Sequence, residues 1–203
     1  MQKSISFAYG LLAFAFFAAT FSACKDDETI EPVALATQTV SSLAADAVTP
    51  YTGSFTLYSL SNNAVVANSD SASSNWDIGF RGSTIIVNGG SIRTGQGGAY
   101  IHTGIFSELT TISENQVFNQ DNSATNLAIA TGSGNGWYSY DQTMNIISPI
   151  AGKILVIRTA TGKYAKLEIL SYYQNAPAAP TAADASRYYT FRFVYQPDGS
   201  KAF

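Results

Sequence analysis

The segment "SRYYTFRFVYQPDG" (186–199) constrains the fold of this chain more than any other part of its sequence. Aromatic side chains occupy every second position: Tyr189, Phe191, Phe193 and Tyr195. A period of two is typical of a β-strand that buries one face in a core. The Pro-Asp-Gly sequence that follows predicts a turn. The segment therefore predicts a long core strand that ends near residue 196.

Two further segments predict hairpins. In "KILVIRTATGKYAKLEILSYY" (153–173), the apolar runs 154–157 and 167–170 are predicted to face each other across a Thr-Gly turn. In "SFTLYSLSNNAVVANSD" (54–70), the Asn-Asn pair at 62–63 predicts the turn between two extended runs. Both hairpins imply antiparallel sheets.

The rest of the chain also favours strands over helices. The segment "NWDIGFRGSTIIVNGG" (75–90) alternates apolar with polar or small residues and then enters an apolar run, which Asn-Gly-Gly ends. Helical periodicity is weak, and we expect only short helical turns near 40–46 and 180–186. The polar stretch 119–136 predicts a long loop. Together these patterns predict a single all-β domain of packed antiparallel sheets over residues 37–203.

Composition argues against several classes of function. The net charge is −3 and the sequence contains no basic stripe, so we expect no nucleic-acid binding. The single cysteine excludes an internal disulfide and a four-cysteine zinc site. The sequence has no Gly-x-Ser-x-Gly motif, and a Ser-His-Asp triad would require His102, the only histidine. We therefore expect a protein that is not an enzyme.

Among the acidic residues Asp77 stands out, because it lies within a predicted apolar strand directly after Trp76. A buried carboxylate requires a partner, because an isolated charge is costly to remove from water. We expect Asp77 to form an ion pair with Arg81 or Arg192 rather than to take part in catalysis.

The first 24 residues predict secretion and lipid attachment. An apolar run follows Lys3 and is marginal in length for a transmembrane helix, as is typical of a signal peptide. Its end, Phe-Ser-Ala-Cys, resembles a bacterial lipobox with Phe21 in place of the usual leucine. We predict a signal peptide over 1–23, lipidation of Cys24 and a tether over 24–36. The alternative is an ordinary cleaved signal with an incidental cysteine.

As a whole, the chain resembles the HmuY family, the haem-binding lipoproteins of the Bacteroidota. The blocks 75–90, 152–173 and 187–199 carry this resemblance, together with the lipoprotein-like start and an acidic cluster after Cys24 that resembles a surface-export signal. The resemblance implies an all-β domain that holds haem between projecting loops and strand ends. It also implies that the protein takes haem from host haemoproteins and passes it to a TonB-dependent receptor. The implied location is the outer-membrane surface, with the lipid anchor as the only membrane attachment.

The resemblance further implies two axial ligands for the haem iron, histidines in some members and methionines in others. A bis-histidine site within one chain is impossible here, since His102 is the only histidine. Met144 is the only methionine after the signal peptide. The family's two ligand-bearing segments correspond to 95–106 and 137–149, which implies a His102/Met144 pair. Tyr100 and Trp137 are the aromatic neighbours expected to contact the porphyrin.

Each of these residues also has a purely structural interpretation. His102 shares strand parity with Tyr100 and fits a half-buried histidine, while Met144 fits a gap in a core. The neighbouring aromatic side chains would then pack on each other. In that case the same fold is a non-haem surface binding or adhesion module. A third arrangement places His102 of two chains on one shared haem.

Overall fold

The computed structural model describes residues 35–203, so the predicted signal peptide, Cys24 and most of the predicted tether lie outside the described residues. Eleven strands form within this range. They are β1 (Thr37–Ala44), β2 (Thr56–Ser59), β3 (Ala64–Val66), β4 (Ile78–Arg81), β5 (Thr84–Val87), β6 (Gly98–Thr103), β7 (Tyr138–Asp141), β8 (Ile146–Pro149), β9 (Lys153–Arg158), β10 (Tyr164–Tyr173) and β11 (Ser186–Gln196). Within 35–203 the only helical element is a 3-10 turn at Asn68–Asp70, and no helix is long and apolar enough to cross a membrane. The predicted all-β class is confirmed.

Five strands form the larger sheet, in the order β1-β11-β10-β9-β6, with every neighbouring pair antiparallel. The aromatic alternation of β11 places one of its faces in the core, where Tyr189, Phe191 and Phe193 are fully buried. The strand ends at Gln196, directly before Pro197, as the sequence predicts.

The predicted β9–β10 hairpin is present, but its register differs from the expected one. Leu155 pairs with Leu167 and Ile157 with Ala165, so the run 154–157 faces 165–168 rather than 167–170. The cause is the tight turn. Gly162 has a φ of +80°, and the strands resume pairing at Tyr164, opposite Arg158.

Four strands form the smaller sheet, in the order β3-β2-β4-β5. The predicted turn at 62–63 joins β2 to β3, and Asn63 adopts a φ of +49° there. β4 and β5 form a second hairpin within the block 75–90. Gly79 is required in β4, because a Cβ atom at this position would lie 2.8 Å from Cγ1 of Ile86.

The larger sheet buries side chains on both faces. The face toward the smaller sheet forms the inner core, which includes Phe80, Ile85, Leu155, Leu167, Phe191 and Phe193. The opposite face, covered by the segment 105–118 and by Phe203, forms the outer cluster, which comprises Phe106, Leu109, Ile112, Ile154, Val156 and Val194. A separate two-stranded sheet, the β7–β8 hairpin, packs on the inner core through Tyr138 and Ile146.

Neither of the expected helical turns is helical. The stretch 40–46 belongs mostly to β1, since Val40 pairs with Phe191 and tertiary pairing overrides local preference. The stretch 180–186 contains a turn in which the backbone N–H of Asp184 donates to the carbonyl of Thr181. The stretch 119–136 contains no strand, as predicted, yet its residue Asp121 is fully buried.

Candidate functional site

His102 lies on β6, the edge strand of the larger sheet, opposite Ile154 of β9. Cross-strand partners share a face, and Ile154 belongs to the outer cluster, so His102 also projects from the outer face. The side chain is half-buried. Its Nε2 atom lies over Gly104, where an added Cβ would be 2.8 Å away.

Tyr100 lies two residues earlier on β6 and occupies the same outer face. Its ring packs edge-on against Phe118, with 5.3 Å between the ring centres. Partial burial raises the pKa of the Tyr100 hydroxyl. The contacts of Tyr100 are therefore those of an aromatic residue that packs on its neighbours.

Met144 lies in the turn of the β7–β8 hairpin and is 61% exposed. The turn is held by Asp141, whose carboxylate accepts the backbone N–H groups of Thr143 at 2.8 Å and Met144 at 3.0 Å. Asn145 follows with a φ of +56°, a conformation that asparagine tolerates. The fold thus exposes the thioether to solvent, so Met144 does not fill a gap in the core.

Trp137 precedes the β7–β8 hairpin and is almost fully buried in the inner core. Its ring packs on Tyr138, Tyr172 and Tyr189, with centre-to-centre distances of 4.9, 5.7 and 5.2 Å. Its indole N–H donates to the carbonyl of Ser83 at 3.0 Å. Trp137 therefore attaches the hairpin to the inner core.

The four predicted site residues divide into two pairs on opposite faces of the larger sheet. His102 and Tyr100 belong to the outer face. Trp137 and the hairpin that carries Met144 pack on the inner core, and the backbone N–H of Ile147 donates to the hydroxyl of Tyr173 at 3.0 Å. His102 and the hairpin that carries Met144 thus belong to different faces of the larger sheet.

A cavity of about 340 Å³ lies beside the β7–β8 hairpin, and Asn145, the residue after Met144, forms part of its lining. Aromatic and polar side chains from distant parts of the chain line it, among them Tyr51, Tyr140, Asn145, Tyr172, Asp184 and Arg187. The hydroxyl of Tyr140 donates to Oδ1 of Asn145 at 2.8 Å, which joins β7 to the end of the hairpin turn at the cavity wall. Burial raises the pKa of Tyr172, and the positive charge of Arg187 opposes that shift.

The sequence did not indicate this cavity. Among its lining residues, only Tyr140, Asn145 and Ile147 lie within the predicted ligand-bearing segment 137–149. Tyr51 and Arg187 carry no local motif, and the fold alone brings them together. No group of three or more His, Cys, Asp or Glu side chains within 35–203 is placed to hold a metal ion.

The expected ion pair of Asp77 is absent from the described residues. Its two carboxylate oxygens accept backbone N–H groups instead, from Leu60 at 2.8 Å and Ala160 at 3.0 Å. Arg81 donates to the carbonyl of Gly53, and Arg192 pairs with Glu168. Burial raises the pKa of Asp77, against the effect of the two N–H donors. Asp77 thus joins the β2–β3 turn to the loop after β9.

The family model of the HmuY protein matches residues 52–193. The chain belongs to the HmuY family. HmuY proteins form a family of haem-binding lipoproteins rather than of enzymes. No curated protein matches the sequence significantly.

Solved structures share the HmuY fold with this chain. A candidate lipoprotein of Bacteroides fragilis has a TM-score of 0.52 and 18% identity, over 81% of this chain and 95% of its own. A candidate HmuY-like haem-binding protein of Bacteroides vulgatus has a TM-score of 0.50 and 15% identity, over 78% and 90%. The apo form of a HmuY analogue from Tannerella forsythia has a TM-score of 0.50 and 12% identity, over 80% and 96%. At these identities the likeness establishes the fold alone.

The HmuY match includes His102, Met144 and all of the cavity residues named above except Tyr51, which lies one position before it. Cys24 and the predicted tether lie outside both the match and the described residues. Lipid attachment to Cys24 therefore stays a prediction.

Proposed function

We propose that this protein is a cell-surface lipoprotein that captures haem and passes it to an outer-membrane receptor. Membership of the HmuY family supports haem as the ligand. The observation that carries the proposal is the exposed side chain of Met144, on a turn whose next residue, Asn145, lines the tyrosine-rich cavity. Methionine sulfur is an established axial ligand of haem iron.

In this proposal, Met144 binds the iron and the β7–β8 turn forms the rim of the site. The Asp141 contacts hold the turn in place, so the thioether is presented with little loss of backbone freedom on binding. Tyr140 and Tyr51 are 40% and 53% exposed and offer aromatic faces on which a porphyrin packs. Trp137 acts from the core, where it supports the hairpin.

His102 is the predicted second axial ligand, and the His102/Met144 pair stays a prediction. His102 projects from the outer face, whereas the hairpin that carries Met144 packs on the inner core, so a shared iron within one chain would require one of these segments to approach the other. The described fold therefore favours Met144 as the ligand that acts without His102. A haem shared between His102 residues of two chains is the other arrangement, and it predicts a dimer that forms only with haem.

Anchoring and hand-over belong to the same proposal. Lipidation of Cys24 would hold the domain at the outer membrane, and the tether 24–36 would let it reach both host haemoproteins and a TonB-dependent receptor. Replacement of Cys24 by serine is expected to release the protein from the membrane fraction. If the C24S protein remains membrane-bound, anchoring through Cys24 is wrong.

Titration with haemin tests the function directly. The mature chain, residues 24–203, is purified with Cys24→Ser so that it carries no lipid. We expect a saturable shift of the Soret band with one haem per chain. Size-exclusion chromatography with and without haemin separates a one-chain complex from the shared-haem dimer. The absence of any saturable spectral change would contradict haem binding.

The second candidate function is a non-haem surface binding or adhesion module. The placement of His102 and of the Met144 hairpin on opposite faces favours it, because it argues against a preformed pair of axial ligands. This candidate predicts that haemin produces no saturable change while the domain stays folded, as thermal unfolding would show.

A further inference from the structure

Within the described chain, Arg187 is the only basic residue that lines the cavity beside the β7–β8 hairpin. Its guanidinium lies 3.5 Å from the centre of the Tyr51 ring. On another side it lies against Gly82, where an added Cβ would be 3.8 Å from Cζ. Its Nη1 donates to the backbone carbonyl of Asp46 at 3.2 Å. These contacts hold the guanidinium in one position.

The backbone at Arg187 supports a specific role for this residue. Arg187 has a φ of +67°, a left-handed conformation that is uncommon for residues other than glycine. The backbone N–H of Ala45 donates to its carbonyl at 2.8 Å, and the pairing of β10 with β11 is irregular beside it. Strained backbone of this kind concentrates at ligand-binding positions.

The charge of Arg187 is not neutralised by an ion pair within residues 35–203, where each salt bridge joins other residues. Two carboxylates lie nearby, and both are used elsewhere. Asp46 accepts the backbone N–H groups of Thr52 and Gly53. Asp184 accepts the backbone N–H and the hydroxyl of Thr181, and these bonds lower its pKa. The guanidinium therefore keeps N–H donors for a ligand.

We propose that Arg187 binds a carboxylate of the porphyrin and that Tyr51 positions its guanidinium for this contact. The inference rests on the proposed function and deepens it. A planar guanidinium matches a carboxylate through two parallel hydrogen bonds, and its contact with an aromatic face fixes its orientation. A volume of about 340 Å³ is at the small end for a ligand pocket. The cavity thus takes the carboxylate edge and leaves the rest of the porphyrin outside, beside the Met144 turn.

Three ligands separate the role of Arg187 from that of Met144. Haemin has both iron and carboxylates, haemin dimethyl ester has iron without charged carboxylates, and protoporphyrin IX has carboxylates without iron. Each is titrated into the mature chain with Cys24→Ser and into its Arg187→Gln, Arg187→Lys and Met144→Ala variants. Arg81→Gln is the matched control, because Arg81 also stacks on a ring, Phe55 at 4.2 Å, and donates to a backbone carbonyl, but does not line the cavity.

We expect Arg187→Gln to weaken binding of haemin and protoporphyrin IX about tenfold and to leave the dimethyl ester unaffected. Arg187→Lys keeps the charge without the planar fork, so its loss is smaller, and Arg81→Gln changes none of the affinities. Met144→Ala shows the converse pattern, weakening both iron-containing ligands only.

Two results overturn the assignment of Arg187 while leaving haem binding intact. One is unchanged haemin affinity in Arg187→Gln, and the other is an equal loss for haemin and its dimethyl ester. Failure of the unsubstituted chain to bind haemin at all overturns the proposed function, and this assignment with it. Equal affinity of the unsubstituted chain for haemin and its dimethyl ester would also overturn the assignment. This comparison needs no substitution, so it applies even if Arg187→Gln fails to fold.

Discussion

The outer face of the larger sheet and the β7–β8 hairpin each carry one of the two predicted iron ligands, but they present it in opposite ways. On the outer face, His102 lies half-buried in a row of cross-strand neighbours, close to a closed aromatic cluster. On the hairpin, Met144 is exposed on a turn that is attached to the core by Trp137. Whether a side chain can bind iron thus depends on its exposure as well as on its residue type.

The two regions also differ in how they use polar groups. In the outer cluster, the buried amine of Lys166 donates to the carbonyls of Phe106 and Leu109, at 3.0 and 2.8 Å, and so fixes the covering segment. Beside the hairpin, Arg187 and several tyrosines line an open cavity. In the outer cluster the buried amine fixes a segment that closes the surface, whereas beside the hairpin polar side chains line an open cavity.

The largest expected effect comes from Trp137→Ala. It removes a fully buried side chain and its hydrogen bond to Ser83, and we expect a loss of about 3–5 kcal/mol in the free energy of unfolding. Phe118→Ala, at the margin of the outer cluster, is the comparison and should cost less because Phe118 is only partly buried. Urea denaturation measures both. An equal cost for the two would show that the hairpin is not attached mainly through Trp137.

A smaller loss is expected from Asp121→Ala, about 1–3 kcal/mol. This change leaves the backbone N–H groups of Val87 and Ala128 without their acceptor, since the Asp121 carboxylate binds them at 3.1 and 2.9 Å. It therefore loosens the loop 119–136 from the smaller sheet. Asp70→Ala, on the exposed 3-10 turn, is the control and should be close to neutral. A neutral Asp121→Ala would contradict a structural role for this buried carboxylate.

Lys166 in the outer cluster and Tyr189 in the inner core should make contributions to stability that change in opposite directions as the pH becomes alkaline. Burial, and then the charge of Arg192, lower the pKa of Lys166 from 10.5. Between that lowered value and 10.5 the unfolded chain binds more protons, so this group's contribution to stability rises with pH. Burial raises the pKa of Tyr189 in the inner core well above 10.0. Above pH 10 the unfolded chain loses that proton first, so this contribution falls with pH.

Urea denaturation of Lys166→Met and Tyr189→Phe at several pH values from 8 to 11 separates the two contributions. Relative to the unsubstituted protein, Lys166→Met should lose stability progressively as pH approaches 10.5, whereas Tyr189→Phe should gain stability above pH 10. The free energy of unfolding of the unsubstituted protein is subtracted at each pH, because the contributions of the other titrating groups then cancel. Differences that do not change with pH would contradict these shifts.

The sequence predicted the parts of the fold that depend on local pattern. The aromatic alternation of β11, its end before Pro197 and the turn at 62–63 follow from strand period and turn chemistry. The register of β9 against β10 did not follow, because the closure of the Gly162 turn decides it. The strand at 37–44 was missed for a related reason, since its pairing with β11 is contributed by residues about 150 positions away.

The candidate site was less predictable than the fold. His102 and Met144 can be found by counting residue types, but the face from which each projects depends on the order of strands in the sheet. The partners of Asp77 could not be predicted either, because backbone N–H groups leave no signature in a sequence. The fold brings Tyr51 close to Arg187 at the cavity, and no local sequence pattern connects those two positions.

Haemin titration of His102→Ala and Met144→Ala, side by side in the mature chain with Cys24→Ser, tests the central claim most directly. The claim is that Met144 on the β7–β8 hairpin, and not His102 on the outer face, is the iron ligand. It predicts that Met144→Ala weakens haemin binding about tenfold or more and alters the Soret band, while His102→Ala stays within about twofold of the unsubstituted protein. Equal weakening in both variants would show that the two residues share one iron and would contradict the claim.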